Sequence, residues 1–72
     1  MVNTELLNEE IKKSGKKKNH LAMKCGLTRA GLRLKILNRH PFTADEVQAL
    51  CDELNIESLE RKEAIFFARE VE

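Results

Sequence analysis

Between Lys12 and His40 the chain carries ten basic residues and no acid: Lys12, Lys13, Lys16, Lys17, Lys18, Lys24, Arg29, Arg33, Lys35 and Arg39. Ammonium and guanidinium groups gathered this densely, with no carboxylate among them, suit one chemistry above others: neutralising a phosphate backbone. All twelve acids lie outside that window, three in residues 1–11 and nine in residues 41–72. The formal net charge of +1 therefore conceals a central segment near +10 between flanks of −3 and −6, the latter being nine acids less Arg61, Lys62 and Arg69. A folded chain sorted this way presents one strongly positive face.

Other chemistries find little to work with. Ser14 and Ser58 lack an adjacent base, and no paired carboxylates sit in an apolar setting. No catalytic residue is assigned, and the chain is not expected to be an enzyme. His20 and His40 have no ligand-like companions. Cys25 and Cys51 fit neither a CxxC nor a zinc spacing and read as free thiols on apolar helical faces. No metal, cofactor or small-molecule substrate is expected.

The elements that must position the cations are short. Seventy-two residues make one domain, 1–72, too small for a deep catalytic cleft. A hydrophobic content of 42% beside 35% charge argues for a folded domain rather than disorder. The longest apolar run, Ala64 to Ala68, is five residues, against the ~20 a membrane span needs, so no membrane partner is expected. The N-terminus holds acids and no apolar signal core, which with the free thiols points to the cytoplasm.

Three glycines, one proline and few β-branched residues leave a helical periodicity throughout. A first helix starts after Asn3 or Thr4, buries Leu7 and Ile11 with Leu6 alongside, and stops at Gly15. Lys16 to Lys18 lead into a short helix carrying Leu21, Ala22 and Cys25. Gly26 and Leu27 break it, and Thr28 caps a third helix from Arg29 to about Leu37, with Leu32 and Ile36 on its apolar face. Asn38 ends it, and Pro41 keeps the next loop extended. Thr43 and Glu46 form a T-x-x-E capping box, with Phe42 and Val47 placed for a hydrophobic staple. The fourth helix buries Val47, Leu50, Cys51 and Leu54 and ends at Asn55. A fifth element begins near Ser58 and carries Leu59, Ile65, Phe66 and Phe67. Helix is the first expectation there, with a short strand at Ile65–Phe67 as the alternative.

The stretch from Lys18 to Leu37 joins both patterns. Two helices crossing steeply need a small side chain at closest approach, which Ala22 supplies. The turn between them needs a residue tolerant of positive φ, which Gly26 supplies. Leu21, Leu27 and Leu32 fill the angle. This is the spacing of a helix-turn-helix, over about residues 17–38, whose second helix enters the DNA major groove.

On these residues the chain resembles the small Cro and cI-type repressors of temperate phages, the XRE-like helix-turn-helix family. The resemblance spans nearly the whole chain: the first helix, Leu21-Ala22…Gly26-Leu27-Thr28, the recognition helix, and the capped fourth helix ending in Leu54. It implies an all-α, compact four- to five-helix, lambda-repressor-like domain that binds operator DNA as a homodimer, recognition helices roughly 34 Å apart. It also implies roles. Thr28, Arg29 and Ala30 approach base edges, and Arg33 and Leu34 lie one turn on, within reach of either bases or phosphates. Three positions depart from the family pattern. Lys17-Lys18 replace Thr-Gln, Lys35 replaces a branched apolar residue, and Asn38 replaces glycine.

Each role has a chemical basis. Arg29 and Arg33 can pair with guanine O6 and N7, and Leu34 can touch a thymine methyl. Lys16, Lys17, Lys18, Lys35 and Arg39 suit phosphate, with Asn19, Asn38 and His40 at the edges. The acid-rich fourth and fifth helices should face away from DNA. Phe66 and Phe67 point about 100° apart on a helix, so one can enter the core and the other anchor a dimer through the 58–72 segment. Two other functions share the fold. One is an antirepressor that docks on a phage repressor protein, suggested by the acidic C-terminal half. The other is an antitoxin-type regulator.

Overall fold

A computed structural model describes residues 1–68. Five helices follow one another: α1 (Thr4–Ser14), α2 (Lys18–Lys24), α3 (Arg29–Ile36), α4 (Ala44–Leu54) and α5 (Leu59–Phe66). The protein is all-α. Residues 69–72, the end of the C-terminal segment assigned to dimerisation, lie outside the described residues. The strand alternative for Ile65–Phe67 is excluded, because Ile65 and Phe66 are helical and Phe67 is the C-cap of α5.

The helix ends follow local side-chain chemistry. Asn3, Thr28, Thr43 and Ser58 each accept a hydrogen bond from an amide of the first turn they precede. At Thr43 the capping box is complete, with the Glu46 carboxylate accepting from the Thr43 N–H at 2.9 Å. α2 and α3 both end in Schellman turns. Leu27 N–H donates to Ala22 O at 2.8 Å and Gly26 N–H to Met23 O at 3.1 Å. Gly26 has φ +71°, a conformation that costs an L-residue. After α3 the same pair of bonds runs from Arg39 to Leu34 O and from Asn38 to Lys35 O, with Asn38 at φ +63°.

One core joins all five helices. Leu7 and Ile11 of α1 meet Leu21 and Ala22 of α2, Leu32 and Ile36 of α3, Leu50, Cys51 and Leu54 of α4, and Ile65 and Phe66 of α5. The staple pair, Phe42 and Val47, packs against it half-buried. Phe42 meets Phe66 edge to face, centroids 5.8 Å apart and planes at 88°.

Two long-range ties were not legible in the sequence. The first threads the N-terminal segment between α3 and α5. Val2 is buried. Its N–H donates to Asn38 Oδ1 at 2.7 Å, and Asn38 Nδ2 donates to its carbonyl at 2.8 Å. Asn3 N–H donates to Ile65 O at 2.7 Å, and Ala68 N–H to Met1 O at 3.0 Å. The second tie is Arg61 of α5 to Glu10 of α1, a residue only 9% exposed. Arg61 Nε and Nη2 both donate to Glu10 Oε1, at 3.1 and 3.0 Å. A carboxylate this buried requires such a partner.

Candidate nucleic-acid interface

α3 turns Leu32 and Ile36 inward and presents Arg29, Ala30, Arg33, Leu34 and the C-cap Leu37 to solvent. α2 packs against both α3 and α4. Its N-terminal residues Lys17 and Lys18, with exposed Asn19, precede the turn that delivers Thr28 and Arg29. The Thr28 hydroxyl accepts from Gly31 N–H at 3.0 Å and keeps its proton free to donate.

Among the described residues, seven of the ten window cations make no ion pair: Lys12, Lys17, Lys18, Lys24, Arg29, Arg33 and Arg39. The other three meet carboxylates. Lys13, itself exposed, lies 3.7 Å from the buried Glu10 carboxylate, whose shorter bonds go to Arg61. Lys16 Nζ donates to the Glu53 carbonyl at 2.7 Å and to its carboxylate at 3.3 Å. Lys35, whose side chain is only 16% exposed, places its ammonium on Glu46 Oε1.

These pairings bear on three expectations. Lys35 was expected on phosphate, but it lies on the flank of α3 that faces the start of α4 and is held by Glu46. Asn38 was expected at a phosphate edge, but both ends of its amide are taken by Val2. The α4 acids do not all face away from the window, since Glu46 and Glu53 reach back to Lys35, Lys16 and His20. Arg39 and His40 are exposed on the loop after α3. Of the two expected dimer anchors, Phe66 is withdrawn into the core at 4% exposure, while Phe67 stays 63% exposed. Phe67 borders a groove of about 530 Å³ that is also lined by Met1, His40 and Phe42.

Local electrostatics divides the helices into two groups. α1, α4 and α5 each carry an acid in the first turn, which favours the positive end of a helix. α2 and α3 carry none, and cations stand there instead. Lys17 caps α2 in an extended conformation with no side-chain bond, and Arg29 opens α3. Cations at helix N-termini work against folding and toward anion binding.

Glu53 and Glu46 were not foreseen as parts of the site's frame. His20 Nε2 lies 2.8 Å from Glu53 Oε1, so one carboxylate holds two groups from the start of the helix-turn-helix. The His20 bond, followed by Lys16, holds the Glu53 carboxyl below its ordinary range. Lys35, then the Thr43 amide, does the same for Glu46. Depressed carboxyl pKa values in the folded state give stability that is complete above the ordinary value near 4.5 and is lost as pH falls through the lowered values. Acid titration of helicity by circular dichroism should therefore show destabilisation setting in below pH 4.5, and Glu46→Gln should blunt it. Burial, with Glu46 second for Cys25, pushes both thiols upward, away from the thiolate a nucleophile requires.

The chain matches no protein-family model, and comparison with curated proteins and with solved structures finds no match. Among the described residues no helix is long and apolar enough to cross a membrane.

Proposed function

We propose that this protein is a sequence-specific DNA-binding transcriptional regulator of the phage Cro-repressor type, acting in the cytoplasm with α3 in the major groove. The observation that carries the reading is that, among the described residues, six cations on α2, α3 and the turns flanking them (Lys17, Lys18, Lys24, Arg29, Arg33 and Arg39) make no ion pair, with Lys12 of α1 a seventh. The two α4 acids that reach back to the window, Glu46 and Glu53, are taken by Lys35, Lys16 and His20. Arg29 and Arg33 are the base-reading groups. Lys17, Lys18 and Arg39 hold phosphate and set the register. A homodimer, assembled through exposed Phe67 beside its groove, would place two α3 helices on successive turns of the duplex.

Binding of a labelled random-sequence duplex at low salt, competed by unlabelled duplex, tests the reading. A variant at the α2 cap separates function from stability. Lys17→Asp supplies the missing N-cap acceptor in an already extended residue. It should stabilise the domain by about 1 kcal/mol, raising Tm by ~4–8 °C, while weakening duplex binding. A free surface lysine would give the stabilisation alone.

The exposed Phe67 and the groove beside it also favour a second reading, docking on a partner such as a phage repressor. A monomer that captures such a protein but no duplex would select it.

A further inference from the structure

A helix in the major groove meets four different base edges, and each is read by a different class of side chain. Arginine pairs with guanine O6 and N7, and Asn or Gln pairs with adenine. A carboxylate accepts from cytosine, and apolar groups meet the thymine methyl. α3, Arg29 to Ile36, contains no amide, carboxylate or hydroxyl side chain. Thr28, the N-cap, accepts from Gly31 N–H and keeps a proton to donate, but it is neither the bidentate amide that reads adenine nor the carboxylate that reads cytosine. Lys35, the remaining polar residue, is withdrawn onto Glu46. Two of the four vocabularies are thus missing from the helix.

The remaining residues are ordered. At about 100° per residue, Ala30 and Leu34 lie within about 40° of one another and opposite the buried Leu32–Ile36 side. Arg29 and Arg33 form a parallel row on one flank. Their Cα atoms are about 6 Å apart along the axis, near the rise of two base pairs at about 3.4 Å each. Leu34 is 40% exposed in a helix whose neighbouring cations draw an anionic partner. An apolar stripe beside a row of free guanidiniums fits a surface that is anionic overall and carries methyl groups at defined points.

We infer that α3 reads a site written in guanine and thymine, with Arg29 and Arg33 on guanine edges and Ala30 and Leu34 on thymine methyls. This rests on the DNA-binding reading above. It further predicts which bases the preferred site contains.

The test begins with selection of bound duplexes from a random library by the full chain. The winning duplex is resynthesised with each dT replaced by dU, which removes only the methyl, and each dG replaced by 7-deazaguanine, which removes N7. At one or more positions dU should weaken binding about fourfold, the equivalent of one buried carbon. Leu34→Ala or Ala30→Gly should erase that dT/dU ratio. At one or more other positions 7-deazaguanine should cost about tenfold, a ratio that Arg29→Ala or Arg33→Ala should erase. Each ratio is measured within one variant, so a reduced folded fraction cancels. If a selected duplex binds tightly but no dT responds to loss of its methyl, the base assignment is overturned while DNA binding stands. If no duplex is enriched and random duplex is not retained at low salt, both fail together.

Discussion

Leu32→Ala is expected to lower stability by about 2–5 kcal/mol. Leu32 has no exposed surface, and its side chain belongs to the core that fixes α3 against the other helices. A domain of this size holds roughly 4–11 kcal/mol in total at ordinary per-residue stability. The loss is a large fraction of that, and Tm should fall by at least ~10 °C. Duplex binding should fall with it, because the face carrying Arg29 and Arg33 exists only while Leu32 is seated. Leu34→Ala, two residues on and facing solvent, should change stability by less than about 0.5 kcal/mol. Thermal denaturation of the two variants side by side checks the orientation of α3. A Leu34→Ala variant as unstable as Leu32→Ala would mean that the helix is rotated.

The second large effect concerns binding alone. Arg29→Ala combined with Arg33→Ala should remove about 2–6 kcal/mol of preference for a selected site over random duplex, at roughly 1–3 kcal/mol for each guanine contact. Both arginines are exposed and have no ion pair among the described residues, so folding loses little beyond the few tenths of a kcal/mol that Arg33 contributes in the last turn of α3. Arg29 opens a helix with no acid in its first turn, and its removal should raise stability by a few tenths of a kcal/mol. Competition binding between selected and random duplexes, with Tm recorded for the same samples, measures both parts.

The local features of this chain were legible in its sequence. Asn3, Thr28, Thr43 with Glu46, and Ser58 announced helix starts because each acts on an amide within three residues. Gly26, Asn38 and Asn55 announced ends because their backbones are left-handed. The apolar rows of α1, α3 and α4 declared the core by spacing alone. The partnership of charges across the fold was not legible. Glu53 with Lys16 and His20, Glu46 with Lys35, and Arg61 with Glu10 join residues 11 to 51 positions apart. Nothing in the local pattern of a carboxylate says which distant cation it will meet. The Asn38 side chain behaved likewise. Its backbone role followed from its type, whereas its bonds to Val2 needed the N-terminal segment to return across the end of α3. These pairings leave seven of the ten cations of the acid-free window without an ion pair among the described residues.

The central claim is that the cations without ion pairs hold a duplex; on a random sequence, where no guanine stands in register, Arg29 and Arg33 join the others on phosphate. Its most direct test is the salt dependence of affinity for a random-sequence duplex, followed by fluorescence anisotropy from low to physiological ionic strength. Each phosphate contact contributes about −0.9 to the slope of log K against log salt, so the account predicts roughly −4 to −6 per chain. Lys17→Ala should make that slope shallower by about 1. A slope shallower than about −1 with the wild-type chain, or no binding at ~50 mM salt, would contradict the account.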